Sequence, residues 1–372
     1  MKIPVAIYPY CSELLPAVKF FERMQDKYSI SRLISPPGLR LGGKDAAYAH
    51  NHPSIGHVVR DKIDFYESVW STLFIMRVLQ PVVINDIDIT KIAEQAILAG
   101  KKVVFFDNTI KDIPESLQEL SKLHPNDIKI ITEDKRSLSK RMGDGDYNLI
   151  TTPVVLAGGL IAAEDTFEVL LSLADCLKKQ GLNISVISKH CHCKMLGKQY
   201  HCLNHILDQN NLKEVDKIIF MNSYIREIEQ SEMPDVILIE APDPVMRYTN
   251  SIPHGFGILT YMLCQAVKPD YFICCVPCEL ANGVILAQIR EDLSYRLGKS
   301  IDAVHVSNVI IDSADILQTR KISYVYADVN MVSEQIKMQS DFSEIPLVNV
   351  ITDGADTICS TLFYQNNLPE GI

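Results

Sequence analysis

The sequence predicts an α/β protein with two doubly wound, mostly parallel-sheet domains. Short runs rich in Val and Ile alternate with helical patterns along all 372 residues. Strands that are separated by helices of this size pair in parallel, with helices on both faces of the sheet. The length suffices for about two to three domains. The composition, with 47% hydrophobic and 22% charged residues, is typical of a globular chain.

The first domain is predicted to span residues 1–145 and to be Rossmann-like. A helix is predicted over Ser12–Asp26, after the first strand, and helical patterns separate the later strands. The glycines that follow Pro36 and Pro37 lack dinucleotide-binding spacing, so no ligand is predicted for this domain. Its predicted strands are, in order, IPVAIYPY, SISRLIS, PVVIN at Pro81–Asn85, KKVVFFD at Lys101–Asp107 and DIKIITED at Asp127–Asp134.

A polar stretch, KRMGDGDYN at Lys140–Asn148, is the predicted linker. The second domain is predicted over residues 146–325, and residues 326–372 are predicted to be a C-terminal extension that packs on it. A helix with Gly181 as its C-terminal stop follows the first strand. The predicted strands are NLITTPVVLAGG, NISVIS, DKIIFMNS near Asp216–Ser223, DVILIEAPD at Asp235–Asp243, DYFICCVPC and AVHVSNVII, with YVYADV and PLVNVIT in the extension.

The first strand and helix of this second domain flank a degenerate phosphate-binding loop. A working loop reads G-x-x-x-x-G-K-[ST], in which backbone amides and the lysine hold phosphates and the hydroxyl holds magnesium. Here Gly158 and Gly159 end the strand, and Gly159 and Thr166 fall in register with the motif. Glu164 replaces its second glycine, and Asp165 replaces its lysine. The layout predicts a P-loop NTPase-like domain that lacks the essential cation.

Two carboxylates at this bend would repel a triphosphate, so a nucleotide cofactor is disfavoured. The same two acids suit the first turn of a helix, where negative charge complements the helix dipole, and this structural role is the alternative to a ligand role. DVILIEAPD lies where P-loop proteins carry an acid that orders magnesium or water. Glu240 and Asp243 are the candidates for that position, and a polar strand end is the alternative for both.

Two groups of Cys and His residues follow strands and are candidate metal ligands. Thiolates and imidazoles at such spacings bind zinc, which makes zinc the candidate cofactor. Neither group has the two-pair spacing of a zinc finger. Buried core cysteines, or a redox pair in the C-x-x-C, are the alternatives. The candidate ligands are His190, Cys191, His192, Cys193 and Cys202 in the first group and Cys275 and Cys278 in the second.

The charge balance bears on partners and location. The net charge is −10 without a concentrated basic block, which argues against nucleic-acid and anionic-membrane partners. No secretory signal is recognised at the start, and no apolar run reaches the length of a membrane span. We therefore expect a cytoplasmic protein whose ten cysteines are thiols or metal ligands.

The order of segments also resembles a known group of proteins. It runs from the N-terminal domain through TPVVLAGGLIAAEDTFEVLLSLADCLKKQGLNISVIS, DVILIEAPDP and DYFICCVP to SIDAVHVSN. This order, over residues 1–325, resembles the peptide maturation system proteins of clostridial natural-product clusters. The second domain is also distantly similar to P-loop proteins of the MobB and DUF1611 kind. Glu164 and Asp165 depart from those proteins.

The resemblance implies a partner, either a Cys-containing precursor peptide or a radical SAM maturase. The leading hypothesis is an accessory protein that binds peptide or partner enzyme through the strand carboxyl edge of the second domain. One alternative is an active nucleotide-dependent enzyme with a non-standard loop. Another is a metal-handling or thiol-transfer protein that uses the HCHC and C-x-x-C groups. The sequence assigns no catalytic residue and leaves open whether the chain is an enzyme.

Overall fold

A computed structural model describes residues 2–50, 52–76, 88–110, 113–133, 147–161, 165–210, 212–250, 255–319, 322–340 and 344–366. The chain forms two compact units. Residues 1–137 and 190–205 make the first unit, and residues 138–189 and 206–372 make the second. The predicted strand PVVIN, most of the predicted linker and Glu164 lie outside the described residues.

The sheet of the first unit is wholly parallel, in the order β3-β2-β1-β4-β5-β6. This order places β1 and β4 at the centre, where the chain reverses its direction of winding. The strands are β1 (Ile3–Tyr8), β2 (Tyr28–Ile34), β3 (Val59–Arg60), β4 (Thr72–Met76), β5 (Lys102–Phe106) and β6 (Ile128–Ile131).

Successive strand residues point to opposite faces of this sheet, and the residues on both faces are mostly apolar. Helices therefore cover both faces. Leu73 and Ile75 of β4 pack in one cluster with Ala93 and Ala96. The side chain of Asp88 accepts a hydrogen bond from the Lys91 N–H and caps the helix that carries both alanines. The helices are α1 (Leu15–Met24), α2 (Ile89–Leu98) and α3 (Glu115–Leu123), with 3₁₀ turns at Ser12–Leu14, Pro37–Leu39 and Ala46–His50.

Residues 190–205 group with the first unit although they follow a strand of the second. This segment contains a 3₁₀ helix, Cys191–Leu196, and the short strand β9 (Tyr200–Cys202). The HCHC group therefore belongs to the first unit.

The sheet of the second unit has β7 at its centre. Counted over the strands within this unit, the order is β15-β12-β11-β7-β10-β8, and all these pairs are parallel. A small antiparallel ribbon, β13 with β14, stands apart from it. The strands are β7 (Val154–Gly159), β8 (Ile184–Ser188), β10 (Val236–Glu240), β11 (Tyr271–Pro277), β12 (Ala303–Ser307), β13 (Val309–Ile311), β14 (Tyr324–Tyr326) and β15 (Leu347–Val348).

The helices of the second unit follow their strands as a doubly wound fold requires. Asn282 caps α8 by accepting the Val284 N–H, and Gly298, with φ of 70°, ends it. The helices are α4 (Asp165–Lys179), α5 (Asn204–Leu207, where the chain returns from the first unit), α6 (Glu214–Glu232), α7 (Ile258–Ala266), α8 (Gly283–Leu297), α9 (Ser313–Thr319), α10 (Val329–Ser340), α11 (Val350–Asp353) and α12 (Asp356–Asn366).

The predicted fold class is confirmed, since both sheets are mostly parallel and flanked by helices. One predicted strand is wrong, because DKIIFMNS lies inside the long helix α6. Across the described parts of the chain, every helix is too short or too polar to span a membrane.

Candidate functional site

The central strand of the second unit ends in Gly158 and Gly159, two of the predicted binding residues. A Cβ added at Gly158 would lie 2.5 Å from Cγ1 of Val245 and 3.0 Å from Cβ of Ala241. A Cβ added at Gly159 would lie 3.0 Å from the carbonyl oxygen of Ile161. Both glycines thus let neighbouring chain pack closely against the end of β7, a role that requires no ligand.

Asp165, at the motif's lysine position, is turned into the protein. It is only 4% exposed, and its Oδ2 accepts a hydrogen bond from the Ser307 hydroxyl. Nε2 of His305 lies 3.6 Å from the same oxygen. Because Nδ1 of His305 accepts the Val350 N–H at 3.1 Å, the hydrogen of a neutral ring is on Nε2 and faces the carboxylate. The acid is thus bound by groups at the end of β12.

Glu240, at the end of β10, contacts Thr166 of the degenerate loop. Its Oε1 accepts the Thr166 hydroxyl at 3.1 Å, and its Oε2 accepts the Ser188 hydroxyl at 2.5 Å. Nζ of Lys189 lies 3.3 Å from Oε1, and the Glu240 side chain is fully buried. In a working loop the hydroxyl at the Thr166 position and the acid at the Glu240 position would both help to bind magnesium. Here Thr166 and Glu240 are hydrogen-bonded to each other, and the nearby cation is Lys189, which follows β8.

Asp243 supports a helix. Its Oδ1 accepts the Thr260 N–H at 2.8 Å and the Thr260 hydroxyl at 2.6 Å. Its Oδ2 accepts the Leu259 N–H at 3.2 Å. These amides belong to the first turn of α7 and have no partner within that helix. The carboxylate therefore replaces the missing helical acceptors.

Cys275 and Cys278 are buried thiols of the second unit. Burial raises the pKa of Cys275 well above its usual range, and the neighbouring Cys274, Asp165 and Glu240 raise it further. Burial, together with Glu279, also raises the pKa of Cys278. A raised pKa lowers the fraction of thiolate, the form that attacks a disulfide, and so disfavours redox chemistry at this C-x-x-C pair.

Cys193 and Cys202, two predicted ligands of the first Cys and His group, act as hydrogen-bond donors. Sγ of Cys193 donates to the His201 carbonyl oxygen at 3.2 Å, and Sγ of Cys202 donates to Oδ1 of Asn108 at 3.1 Å. Burial raises the pKa of Cys202 well above its usual range, and Cys193 and Cys191 add to the shift. These contacts give both sulfurs hydrogen-bond partners within the first unit.

The two histidines of this group meet an acid that the sequence analysis missed. Nδ1 of His190 lies 3.2 Å from Oε1 of Glu13, and the rings of His190 and His192 have centroids 4.8 Å apart. One potential ligand atom from each residue lies within 4.8 Å of the other two. Glu13 lies shortly after β1, and Glu240 is the last residue of β10, so an acid near a strand end was the available signal.

The 3₁₀ helix that contains His192 and is preceded by its N-cap residue, His190, is held within the first unit. Nζ of Lys194 lies 2.5 Å from Oε1 of Glu133, and both side chains are largely buried. Burial alone would raise the pKa of Glu133, but Lys194 and the Cys202 N–H hold that pKa below its usual value. Gln25 Nε2 also donates to the Met195 carbonyl oxygen at 2.9 Å. These bonds fix the backbone from which His190 and His192 project.

A pocket of about 890 Å³ opens beside this helix within the first unit. Its floor is aromatic, and it includes Phe74 and Phe106 from the sheet. Lysines 27, 129, 194 and 198 line it, and Glu133, already paired with Lys194, is the carboxylate among its lining residues. The excess of positive charge suits an anionic ligand with an apolar body.

The class of protein is thus a two-unit α/β protein with two mostly parallel sheets flanked by helices. No protein-family model and no curated protein sequence matches the chain. In structure it is similar to a DUF1611 family protein from Anabaena variabilis ATCC 29413, with a TM-score of 0.61 and 14% identity over 98% of this chain and 100% of that one. This similarity confirms the predicted DUF1611 resemblance at the level of the fold.

Proposed function

We propose that the chain is a cytoplasmic accessory protein in the maturation of a ribosomally made, Cys-containing peptide. In this proposal it binds the peptide and does not hydrolyse a nucleotide. The proposed partner is the precursor peptide, presented to a radical SAM maturase. The observation that carries the non-hydrolytic role is the position of Asp165. Its buried carboxylate occupies the motif's lysine position and accepts a hydrogen bond from the Ser307 hydroxyl.

Electrostatics support this assignment over an active nucleotide enzyme. A triphosphate in the loop would approach the carboxylates of Asp165 and Glu240 in a largely buried setting, where repulsion is weakly screened. Lys189, a cation near Glu240, already contacts that carboxylate. Recruiting it to a phosphate would leave Glu240 buried without its counter-charge, which is strongly unfavourable.

An exposed aromatic surface gives the peptide a place to bind in the second unit. Phe256, Ile258, Tyr261 and Tyr295 line a pocket of about 410 Å³ together with Val245. All four of these side chains are exposed, Tyr295 to 93%. Clustered exposed apolar side chains mark protein-binding surfaces. Val245 also packs on Gly158, so this aromatic surface adjoins the degenerate loop.

We expect no nucleotide-dependent stabilisation of the purified protein. A nucleotide at 100 times its Kd would add about 2.7 kcal/mol to stability and raise the melting temperature by several degrees. Thermal unfolding with millimolar Mg-ATP or Mg-GTP should therefore match unfolding without nucleotide. A magnesium-dependent shift that Lys189→Ala abolishes would contradict the proposal and would favour a nucleotide enzyme with a non-standard loop.

We expect Phe256→Ser with Tyr261→Ser to weaken peptide binding at least about tenfold, a loss of about 1.4 kcal/mol. The probe is a fluorescein-labelled, Cys-containing precursor peptide of the kind that the clostridial resemblance implies, followed by fluorescence anisotropy. Tyr66→Ser, which removes an exposed tyrosine of the first unit, is the matched control and should bind as wild type does. Binding that survives the double substitution but is lost in Lys129→Glu would place the peptide in the first-unit pocket instead. Absence of binding to the wild-type protein would refute the peptide-binding role.

A further inference from the structure

We propose that Glu13, His190 and His192 form a binding site for a divalent transition metal, with zinc as the best match. The site lies wholly within the first unit and is independent of the degenerate loop. It differs from the zinc set predicted from sequence, because an acid 177 residues away replaces the cysteines.

The distances fit a tetrahedral metal. Zinc bonds to nitrogen and oxygen of about 2.0–2.1 Å place neighbouring ligand atoms about 3.3 Å apart. Oε1 of Glu13 and Nδ1 of His190 are already 3.2 Å apart. One nitrogen of His192 lies within 4.8 Å of a ligand atom of Glu13 and of a ligand atom of His190. A rotation of its imidazole about the soft χ2 torsion would close the remaining gap.

The donor set also determines the class of metal. Two imidazoles and one carboxylate suit zinc, cobalt, nickel or iron, whereas calcium and magnesium prefer oxygen ligands alone. Three protein ligands leave a fourth tetrahedral position for water or an exchangeable group, as in open zinc sites. The charges agree, since one carboxylate offsets part of the dication.

The surroundings hold the ligands in place while leaving access. The side chains of His190 and Glu13 are 9% and 11% exposed, so the site is sheltered but reachable. The 3₁₀ helix that contains His192 and follows His190 is held by the Lys194–Glu133 ion pair and the bond from Gln25 to Met195. Such a fixed frame lowers the entropy cost of assembling a metal site.

Cobalt titration tests the site, because Co²⁺ occupies zinc sites and absorbs visible light according to its coordination. Tag-free protein is stripped with chelator, dialysed, and titrated with Co²⁺ and then with Zn²⁺. We expect one equivalent to bind, with visible bands of four- or five-coordinate cobalt that zinc removes. Glu13→Gln, which preserves the shape of the side chain, and His192→Ala should each weaken binding at least about tenfold.

His124→Ala, which removes another imidazole of the first unit, is the control and should bind as wild type does. Circular dichroism of each metal-free variant checks that the fold is kept. The proposal is overturned if wild-type protein shows no such bands at excess cobalt. It is equally overturned if Glu13→Gln and His192→Ala, both folded, bind the metal as tightly as the control.

Discussion

Asp165→Lys, which restores the motif's lysine, is expected to destabilise the second unit by about 3–5 kcal/mol and not to create nucleotide binding. The wild-type carboxylate is buried and bonded to Ser307. A lysine there would bury a cation against the Nε2 side of His305 and would remove the acceptor of the Ser307 hydroxyl. An uncompensated buried charge typically costs this much. Urea unfolding followed by circular dichroism measures the loss.

Asp165→Asn separates charge from shape in the same position. The amide keeps an oxygen for the Ser307 hydroxyl, so we expect a smaller loss of about 1–2 kcal/mol. If Asp165→Lys is instead as stable as wild type and binds Mg-ATP, the position accepts the motif's lysine and the loop can hold phosphates. The structural role assigned to the acid would then be wrong.

The fold was largely predictable because its signal is local and repeated. Most strands of the two large sheets are short Val- and Ile-rich runs, and most connections between them are long enough for a helix, which together favour parallel pairing. The error at DKIIFMNS has a physical cause. A short apolar run does not distinguish a strand from a buried helix segment. The helical spacing of the buried Met221, Ile225 and Ile228 identifies α6 once the following residues are considered.

The candidate sites were less predictable because their contacts depend on sheet order and on chain exchange. Thr166 lies at the start of α4 and Glu240 at the end of β10, and a hydrogen bond joins their side chains. Ser307 reaches Asp165 only because β12 joins β11 in a particular register. Glu13 meets His190 only because residues 190–205 group with the first unit. No spacing along the sequence predicts the contact between Ser307 and Asp165 or the contact between Glu13 and His190.

Glu229→Gln is expected to destabilise the second unit by about 3 kcal/mol at pH 7, with the difference vanishing near pH 2. Glu229, 7% exposed, accepts the N–H groups of Thr151 and Thr152, both at 2.7 Å, and pairs with Arg226. Burial alone would raise its pKa, but these bonds outweigh it and lower the pKa from 4.5 to about 2. A shift of about two and a half units corresponds to roughly 3 kcal/mol.

The sign follows from the lowered pKa of Glu229. The stabilisation is fully present above the unfolded pKa of 4.5 and is lost as the pH falls towards the folded value of about 2. Because a protonated Glu resembles Gln, the two proteins should converge in stability at acid pH. Urea unfolding between pH 7 and pH 2 measures this, with Glu214→Gln, an exposed carboxylate of the same helix, as the control. A difference that stays constant over this range would show that Glu229 acts through shape alone. Convergence would show that its charge holds the chain entering β7, the strand that carries the degenerate loop.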